Sequence, residues 1–391
     1  MSGESHPGAL ILGSDFQALG AARSLAAHHV PLFLLETETG IARYSRHVRR
    51  RAMVRNLFHR EAGVDFLLDL VEREGLQGWV PYATSDDGVR FLAEHRDQLS
   101  AALRVPVPPW EVTQKFYFKE QAYRLAAAHD IPIPRMYEAE NLDALLAQDI
   151  SFPAVLKPSC KEGYYERTKK KGIRVDSRDE LVREYQRMNA IIPADRIVVQ
   201  QFLNGGPGNL YSYATVFDGQ QPVVGMAARR ARQHPMDFGH ATTFAESVDP
   251  AEMRELSTRL LRAMNYRGVA EVEFMYDPDT QCYRFLEING RLWGWHTLAK
   301  AAGVNVPYAL FQLMTAGAVA SARPNPGVKW IRLITDTPTA VLEMLRGRMS
   351  PRSYLRSFVG TTEFAVFSWR DPLPFFVEFA LVPYLWWKKG F

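Results

Sequence analysis

Cysteine is almost absent from this chain: Cys160 and Cys282 are the only two among 391 residues. Two thiols cannot make a disulfide framework or a cysteine-based zinc site, and they fit a reducing compartment. A cytoplasmic location is therefore expected. An uninterrupted apolar run of about 20 residues, the length a membrane-spanning helix needs, is also missing. The N-terminus, "MSGESHPGALILG", has no basic segment followed by a long apolar stretch, so no signal peptide is expected. Charge of one sign is not in excess. Lys and Arg number 47 against 43 Asp and Glu, and the net +4 does not argue for a nucleic-acid partner. There is no internal repeat, no low-complexity tract, no G-x-G-x-x-G and no obvious Ser–His–Asp arrangement.

What is present is globular composition, 47% hydrophobic and 23% charged, over a length that calls for two or three domains. "GALILGSDFQALGAARSLAAHHVPLFLLETE" (8–38) reads as strand, glycine turn, helix and strand, a βαβ unit. "LQGWVPYATSDDGVRFLAEHRDQL" (76–99) repeats it, with the polar "TSDDG" after the strand. Residues 1–112 are expected to form a small α/β domain with a mostly parallel sheet. The arginines of "ARYSRHVRRRAMVRN" (42–56) read as a solvated surface or as a contact for phosphate. "VPVPPW" (105–110) is a joint, and Thr113 is expected to cap one helix running to about His129. Apolar strands then end in "FPAVLKPS" (152–159) and "RIVVQQFLNGG" (196–206). Two hairpins follow, turning at Asp218–Gly219 and at "DPDT" (277–280), so the middle of the chain is expected to be α+β and antiparallel.

The second hairpin carries the chemistry. Residues two apart on a strand share a face, which groups Glu271 with Glu273, and Glu287 with Asn289 and Arg291. Pairing about Pro278–Asp279 brings Glu273 opposite Glu287 or nearly so. Two carboxylates on one face repel unless a divalent cation lies between them. Two carboxylates and an amide oxygen suit Mg²⁺ (or Mn²⁺) on a nucleotide, with Arg291 next to the phosphoryl group. A water-facing edge hairpin is the plain alternative. Lys157 shifts the balance, because it closes a buried strand before Pro158 and needs an anionic partner. "PSCKEGYYERTKKKGI" (158–173) beside it reads as a basic lid over phosphates.

These pieces, "KEQAYRLAAAHDIPIPRMY", "FPAVLKPS", "RIVVQQFLNGG", "GVAEVEF" and "FLEINGRLWG", resemble in this order the ATP-grasp superfamily, in its carboxylate–amine ligase branch. The resemblance implies a Rossmann-like pre-ATP-grasp domain at 1–112 and a two-lobed ATP-grasp domain at 113–320, with a lid lobe of about 113–205 and a second lobe of about 206–320. A C-terminal extension, 321–391, follows. Lys119 is implied as the first nucleotide lysine, with Lys115 as the competing choice, and Lys157 as the second. Gln200, Gln201, Phe202 and Leu203 are implied as the hinge that reads adenine, although Gln201 stands where the family commonly has glutamate. Asn209 falls near the ribose position. Glu273, Glu287 and Asn289 are implied as Mg²⁺ ligands and Arg291, with Lys157, as catalytic.

The implied reaction joins a small carboxylic acid to an amine through an acylphosphate, forming a carbon–nitrogen bond and releasing ADP and phosphate. Readings that share the same residues are an ATP-grasp kinase, a carboxylating enzyme, and a nucleotide-binding regulatory protein without catalysis. For the substrate, "AARRARQHPMDFGHATT" (227–243) offers Arg230 and Arg232 as carboxylate clamps. Trp293 and Trp295 read as packing or as a substrate wall, and His296 as a base for the amine. The tail "PLPFFVEFALVPYLWWKKGF" (372–391) is interrupted by Glu378 and Pro383. It reads as a segment packed on the body or on a second subunit, or as a peripheral membrane contact through Trp386, Trp387, Lys388 and Lys389.

Overall fold

The computed structural model describes residues 6–383, apart from residues 60, 61, 139, 237, 238 and 240. Three sheets carry the architecture. The first contains β1 (Ala9–Leu12), β2 (Leu32–Glu36), β3 (Arg50–Met53) and β4 (Val80–Ala83), ordered β3-β2-β1-β4 and all parallel. Every residue of β1, β2 and β4 is buried, as a parallel sheet covered on both faces requires. Side-chain caps start two of its helices: Asp15 accepts the Ala18 amide ahead of Phe16–Ala26, and Ser85 accepts the Gly88 amide ahead of Asp86–Glu94. The parallel sheet expected of the N-terminal region is present.

The single helix expected from Thr113 to about His129 is two helices, Trp110–Tyr117 and Lys119–Ala128. Pro109, not Thr113, is the N-cap, and the Thr113 hydroxyl donates instead to the Pro108 carbonyl at 3.0 Å. The break falls at Phe118, whose backbone is extended. A tertiary bond makes it: the Lys119 amide donates to the Ser159 carbonyl at 3.0 Å. Around the break Phe116 packs on Tyr266, while Tyr117 and Phe118 pack on Trp110.

The second sheet holds β5 (Ala154–Pro158), β6 (Ile173–Val175) and β7 (Ile197–Gln201), antiparallel in the order β6-β5-β7. The helix Arg178–Asn189 shares a core with it through Leu181, Tyr185 and Met188. The third sheet has seven strands: β8 (Leu210–Phe217), β9 (Pro222–His234), β10 (Ala241–Val248), β11 (Gly268–Asp277), β12 (Cys282–Asn289), β13 (Lys329–Ile331) and β14 (Thr362–Phe364). Their order is β12-β11-β8-β9-β10-β13-β14, antiparallel except for β13 with β14.

Both expected hairpins form, and their turn residues explain why. Asp218 accepts the amides of Gln220 and Gln221 at 2.8 Å, with Gly219 at φ +110°. Asp277 accepts the Asp279 amide, the Thr280 hydroxyl and the Arg284 guanidinium. The stretch expected as a C-terminal extension continues the third sheet through β13 and β14 and then forms the helix Leu373–Ala380. No helix among the described residues is long and apolar enough to cross a membrane. Trp386, Trp387, Lys388 and Lys389 lie outside the described residues.

Candidate active site

A cavity of about 600 Å³ is lined by residues of β5, β7, β9, β11 and β12, with Phe16 and Gln17 contributed by the first helix. Eleven of the residues singled out from sequence line it: Lys119, Lys157, Gln200, Gln201, Phe202, Leu203, Arg230, Glu273, Glu287, Asn289 and Arg291. Three do not. Asn209 donates its amide to the Gly205 carbonyl and tucks into its own turn. Arg232 forms a two-pronged pair with buried Asp336, at 2.8 and 2.7 Å, and stacks on Phe244. His296 is fully buried against Gly20, with Nδ1 2.8 Å from the Trp293 carbonyl, and burial pushes its pKa down to about 4. Of the histidines near β9, His234 reaches the cavity, and His240 lies outside the described residues. The choice between Lys115 and Lys119 falls to geometry. The break at Phe118 starts a new helix at Lys119, and only Lys119 of the two lines the cavity.

The hairpin places the acids as its pattern predicts. Glu273 is opposite Glu287 and Glu271 is opposite Asn289. A bulge directly after Glu273 pairs Phe274 with Phe285, so Leu286 has no opposite residue and lines the cavity beside Glu287. The two carboxylates have separate cationic partners. Arg230 pairs with Glu273, and Asn289 donates its amide to Glu273 at 2.8 Å and to Glu271 at 3.1 Å. Lys119 stands 3.6 Å from Glu287. Burial acts to raise the Glu287 pKa, but the ammonium groups of Lys119, Lys161, Lys171 and Lys157 outweigh it and hold the carboxyl well below its usual range. Burial and the Glu273 charge push Glu271 upward instead, although the Trp295 indole donates to it at 2.9 Å. Burial also lowers Lys157 and Lys171, each to about 8.

Among the described residues no three His, Cys, Asp or Glu side chains gather as a metal cage. The expected set is two carboxylates and an amide, which is hard-oxygen chemistry that suits Mg²⁺ when phosphate and water supply the remaining ligands. Glu273 and Glu287, facing each other across the hairpin and both open to the cavity, fit that role. The Asn289 oxygen faces Arg291, accepting from its Nη2 at 3.0 Å.

Four residues were not individually assigned from sequence, two of them in the segment read as a basic lid over phosphates. Lys161 and Lys171 line the cavity from the basic segment between β5 and β6. Arg332, just past β13, lines it too. Asp86 pairs with Arg291 at 2.7 Å and with Lys161. Its two cations outweigh burial and hold its carboxyl far below the usual range. The signal for Asp86 was in "TSDDG": it follows the C-terminal end of a parallel strand, where open α/β sheets bind ligands. Trp293 and Trp295, each 1% exposed, both pack in the core and line the cavity.

Comparison with known proteins gives a consistent picture. The chain is 21% identical over 298 residues to D-aspartate ligase of Enterococcus faecium, covering 72% of this chain and 70% of that one. It is 24% identical over 249 residues to a putative urea carboxylase of Emericella nidulans, covering 58% of this chain but 19% of that one. It spans about a fifth or less of the length of that protein and of acetyl-CoA carboxylase relatives. The fold matches the biotin carboxylase of Campylobacter jejuni with a TM-score of 0.65, at 14% identity, over 82% of this chain and 74% of that one. The sequence pattern of the carbamoyl-phosphate synthase L chain ATP-binding domain matches residues 118–319, slightly more than half of the chain. The chain belongs to that family, and with it to the ATP-grasp superfamily.

Proposed function

We propose that the protein is an ATP-dependent carboxylate–amine ligase acting through an acylphosphate. One observation carries this: Lys119 from a helix, Lys157 from β5, Glu273 from β11, and Glu287, Asn289 and Arg291 from β12 and its end converge on one cavity. The D-aspartate ligase, matched over most of both chains, supports a ligase over the longer carboxylases.

In this reading Lys119 and Lys157 hold the phosphates. The amides of Gln201 and Phe202 donate to the Arg135 and Pro153 carbonyls, so Leu203 is left to read the adenine edge. Glu273, Glu287 and Asn289 would hold Mg²⁺, which when bound neutralises phosphate charge. An oxygen of the acid attacks the γ-phosphorus and the bond to ADP breaks. Arg291 leaves Asp86 to meet the charge on the transferring group. The amine then attacks the acyl carbon, phosphate leaves with the bonding pair, and the amine loses one proton. The residues contribute positioning and charge, and no side chain is covalently modified.

The test is ADP and phosphate release by the purified protein against a panel of acids and amines. Release that requires both supports the ligase. ADP release indifferent to amine, or dependent on bicarbonate, supports the kinase or carboxylating reading. Absence of MgADP binding removes all of these.

The lysines predict a pH dependence. Lys157 and Lys171 are charged below about 8 and neutral above it. Loss of the Lys157 charge alone is expected to lower MgADP affinity about tenfold between pH 7 and pH 9. Calorimetry checks this, and a flat profile refutes the assignment of Lys157 to phosphate.

For the location we propose the cytoplasm, with peripheral contact at a lipid surface. Exposed Trp369, Leu373, Phe376 and Phe379 sit immediately ahead of the basic, aromatic C-terminus. The full-length protein is expected to co-sediment with vesicles containing anionic lipid, and a 1–371 truncation is not. Equal sedimentation of the two sinks the idea, and concentration-dependent dimerisation without lipid favours self-association.

A further inference from the structure

The peripheral location proposed above draws on the C-terminal segment alone, yet that segment shares a face with the arginine-rich stretch 42–56. Six arginines and no acid lie between Thr39 and His59. They do not all point one way. Arg50 lies over the rings of Phe33 and Trp79, its guanidinium carbon 5.4 and 5.7 Å from their centres, and reaches Glu74. Arg51, the next residue of β3, is opposite Leu34 of β2. Neighbours on a strand face opposite sides, and the Leu34 side is the one against which Phe375, Val377 and Leu381 pack. Arg51 also donates from Nη1 to the Arg43 carbonyl at 3.0 Å. Arg46, Arg49 and Arg51 are all exposed.

The helix Leu373–Ala380 is fastened to this stretch. It packs on the turn Ala42–Tyr44. Just ahead of it, Asp371 accepts from Arg23 Nε at 2.9 Å, from the Ser45 hydroxyl at 2.6 Å and from the Arg46 amide at 3.0 Å. Phe375 packs inward on the core, with Phe367 and Phe379 edge-on against it at 5.1 and 4.9 Å between ring centres. The outer side has no such cover: Trp369 is 86% exposed, Phe376 62%, Leu373 53% and Phe379 50%. Both acids of residues 364–383, Asp371 and Glu378, are buried and paired with arginine. Every exposed side chain of that segment is therefore apolar or cationic, with Arg370 beside Trp369.

We propose that Arg46, Arg49 and Arg51, together with the outer side of the helix Leu373–Ala380, form one docking face for a bilayer containing anionic phospholipid. The arginines meet headgroup phosphates, while Trp369, Leu373, Phe376 and Phe379 enter the boundary with the acyl chains. Charge complementarity selects this occupant. A neutral surface leaves the arginines without counter-charge, and a second copy of the chain brings more arginines to the same face. The N-terminal α/β region thus supplies the electrostatic half of a contact whose apolar half is C-terminal. This rests on the peripheral location proposed above.

The test is sedimentation of the full-length protein with vesicles of phosphatidylcholine, with and without phosphatidylserine. Wild type is expected to bind only the vesicles that contain phosphatidylserine, and less tightly as salt is raised. The triple variant Arg46→Gln, Arg49→Gln, Arg51→Gln is expected to lose about 100-fold in that affinity. The pair Phe376→Ser, Phe379→Ser is expected to lose about tenfold or more while keeping the salt dependence. MgADP binding is expected to be unchanged in both, which reports on the fold. Should the triple variant fail to fold, the pair Arg46→Gln, Arg49→Gln decides. Wild-type affinity in a folded arginine variant, or equal binding of wild type to both vesicles, overturns the proposal. If that happens while the 1–371 truncation still loses binding, the C-terminal contact stands without the arginines. Binding of wild type to neither vesicle removes the peripheral location itself and this face with it. Dimerisation without lipid that the arginine substitutions abolish makes the face a self-association surface and also overturns the proposal.

Discussion

Glu287→Gln is expected to lower ADP formation about 10³-fold, or ~4 kcal/mol in activation free energy, while leaving the fold intact. The side chain keeps its shape but loses its charge. Glu287 is the anion among Lys119, Lys161, Lys171 and Lys157, and the partner of Glu273 across the hairpin. Both functions need the negative charge, so the amide supplies neither. Stability should change little, because the residue is part exposed and its lysines reach water. The measurement is ADP release at saturating MgATP with the acid and amine that the panel identifies, alongside a thermal melt. A near-normal rate with Mg²⁺ would show that Glu287 is not a metal ligand.

Asp336→Asn is expected to do the opposite: cost about 3–5 kcal/mol of stability and leave nucleotide binding unchanged in the folded fraction. Asp336 is fully buried. It accepts from Arg232 Nε and Nη2 and from the Thr243 hydroxyl at 2.7 Å. That joins β9 and β10 to the helix Leu333–Leu345. Removing its charge strands Arg232, which lies against Phe244 with little access to water. The shift should appear in the denaturant midpoint followed by circular dichroism. An unchanged midpoint would mean that Arg232 finds another acceptor.

The two substitutions also show what a linear sequence reveals. The pairing of Glu273 with Glu287 was legible because a strand alternates strictly and Asp277 and Thr280 mark the turn. Lys157 was legible because a lysine at the end of "AVL" needs a reason. Arg232 and His296 were misplaced as substrate residues because closeness in sequence does not tell which side of a strand or helix faces the cavity. Arg230 and Arg232 sit two apart on β9, yet the pairing with β10 is irregular on both sides of Phe244, and Arg230 meets Glu273 while Arg232 meets Asp336. The break at Phe118 was invisible because the Ser159 carbonyl, forty-one residues on, makes it. The pairing of Arg332 with Glu378 was not legible, because the meeting of two residues forty-six apart depends on the whole sheet.

Asp86 gives the cavity a property beyond shape. An anion arriving between Arg291 and Lys161 does not fill an open seat but enters an exchange, because a carboxylate already holds both cations. Its net affinity is a difference between two sets of charge-assisted bonds. A single weak negative charge gains almost nothing from such a trade, whereas a polyphosphate brings enough oxygens to win it. In the proposed reaction this carboxylate would weigh equally against every arriving anion, and only one carrying several charges would displace it.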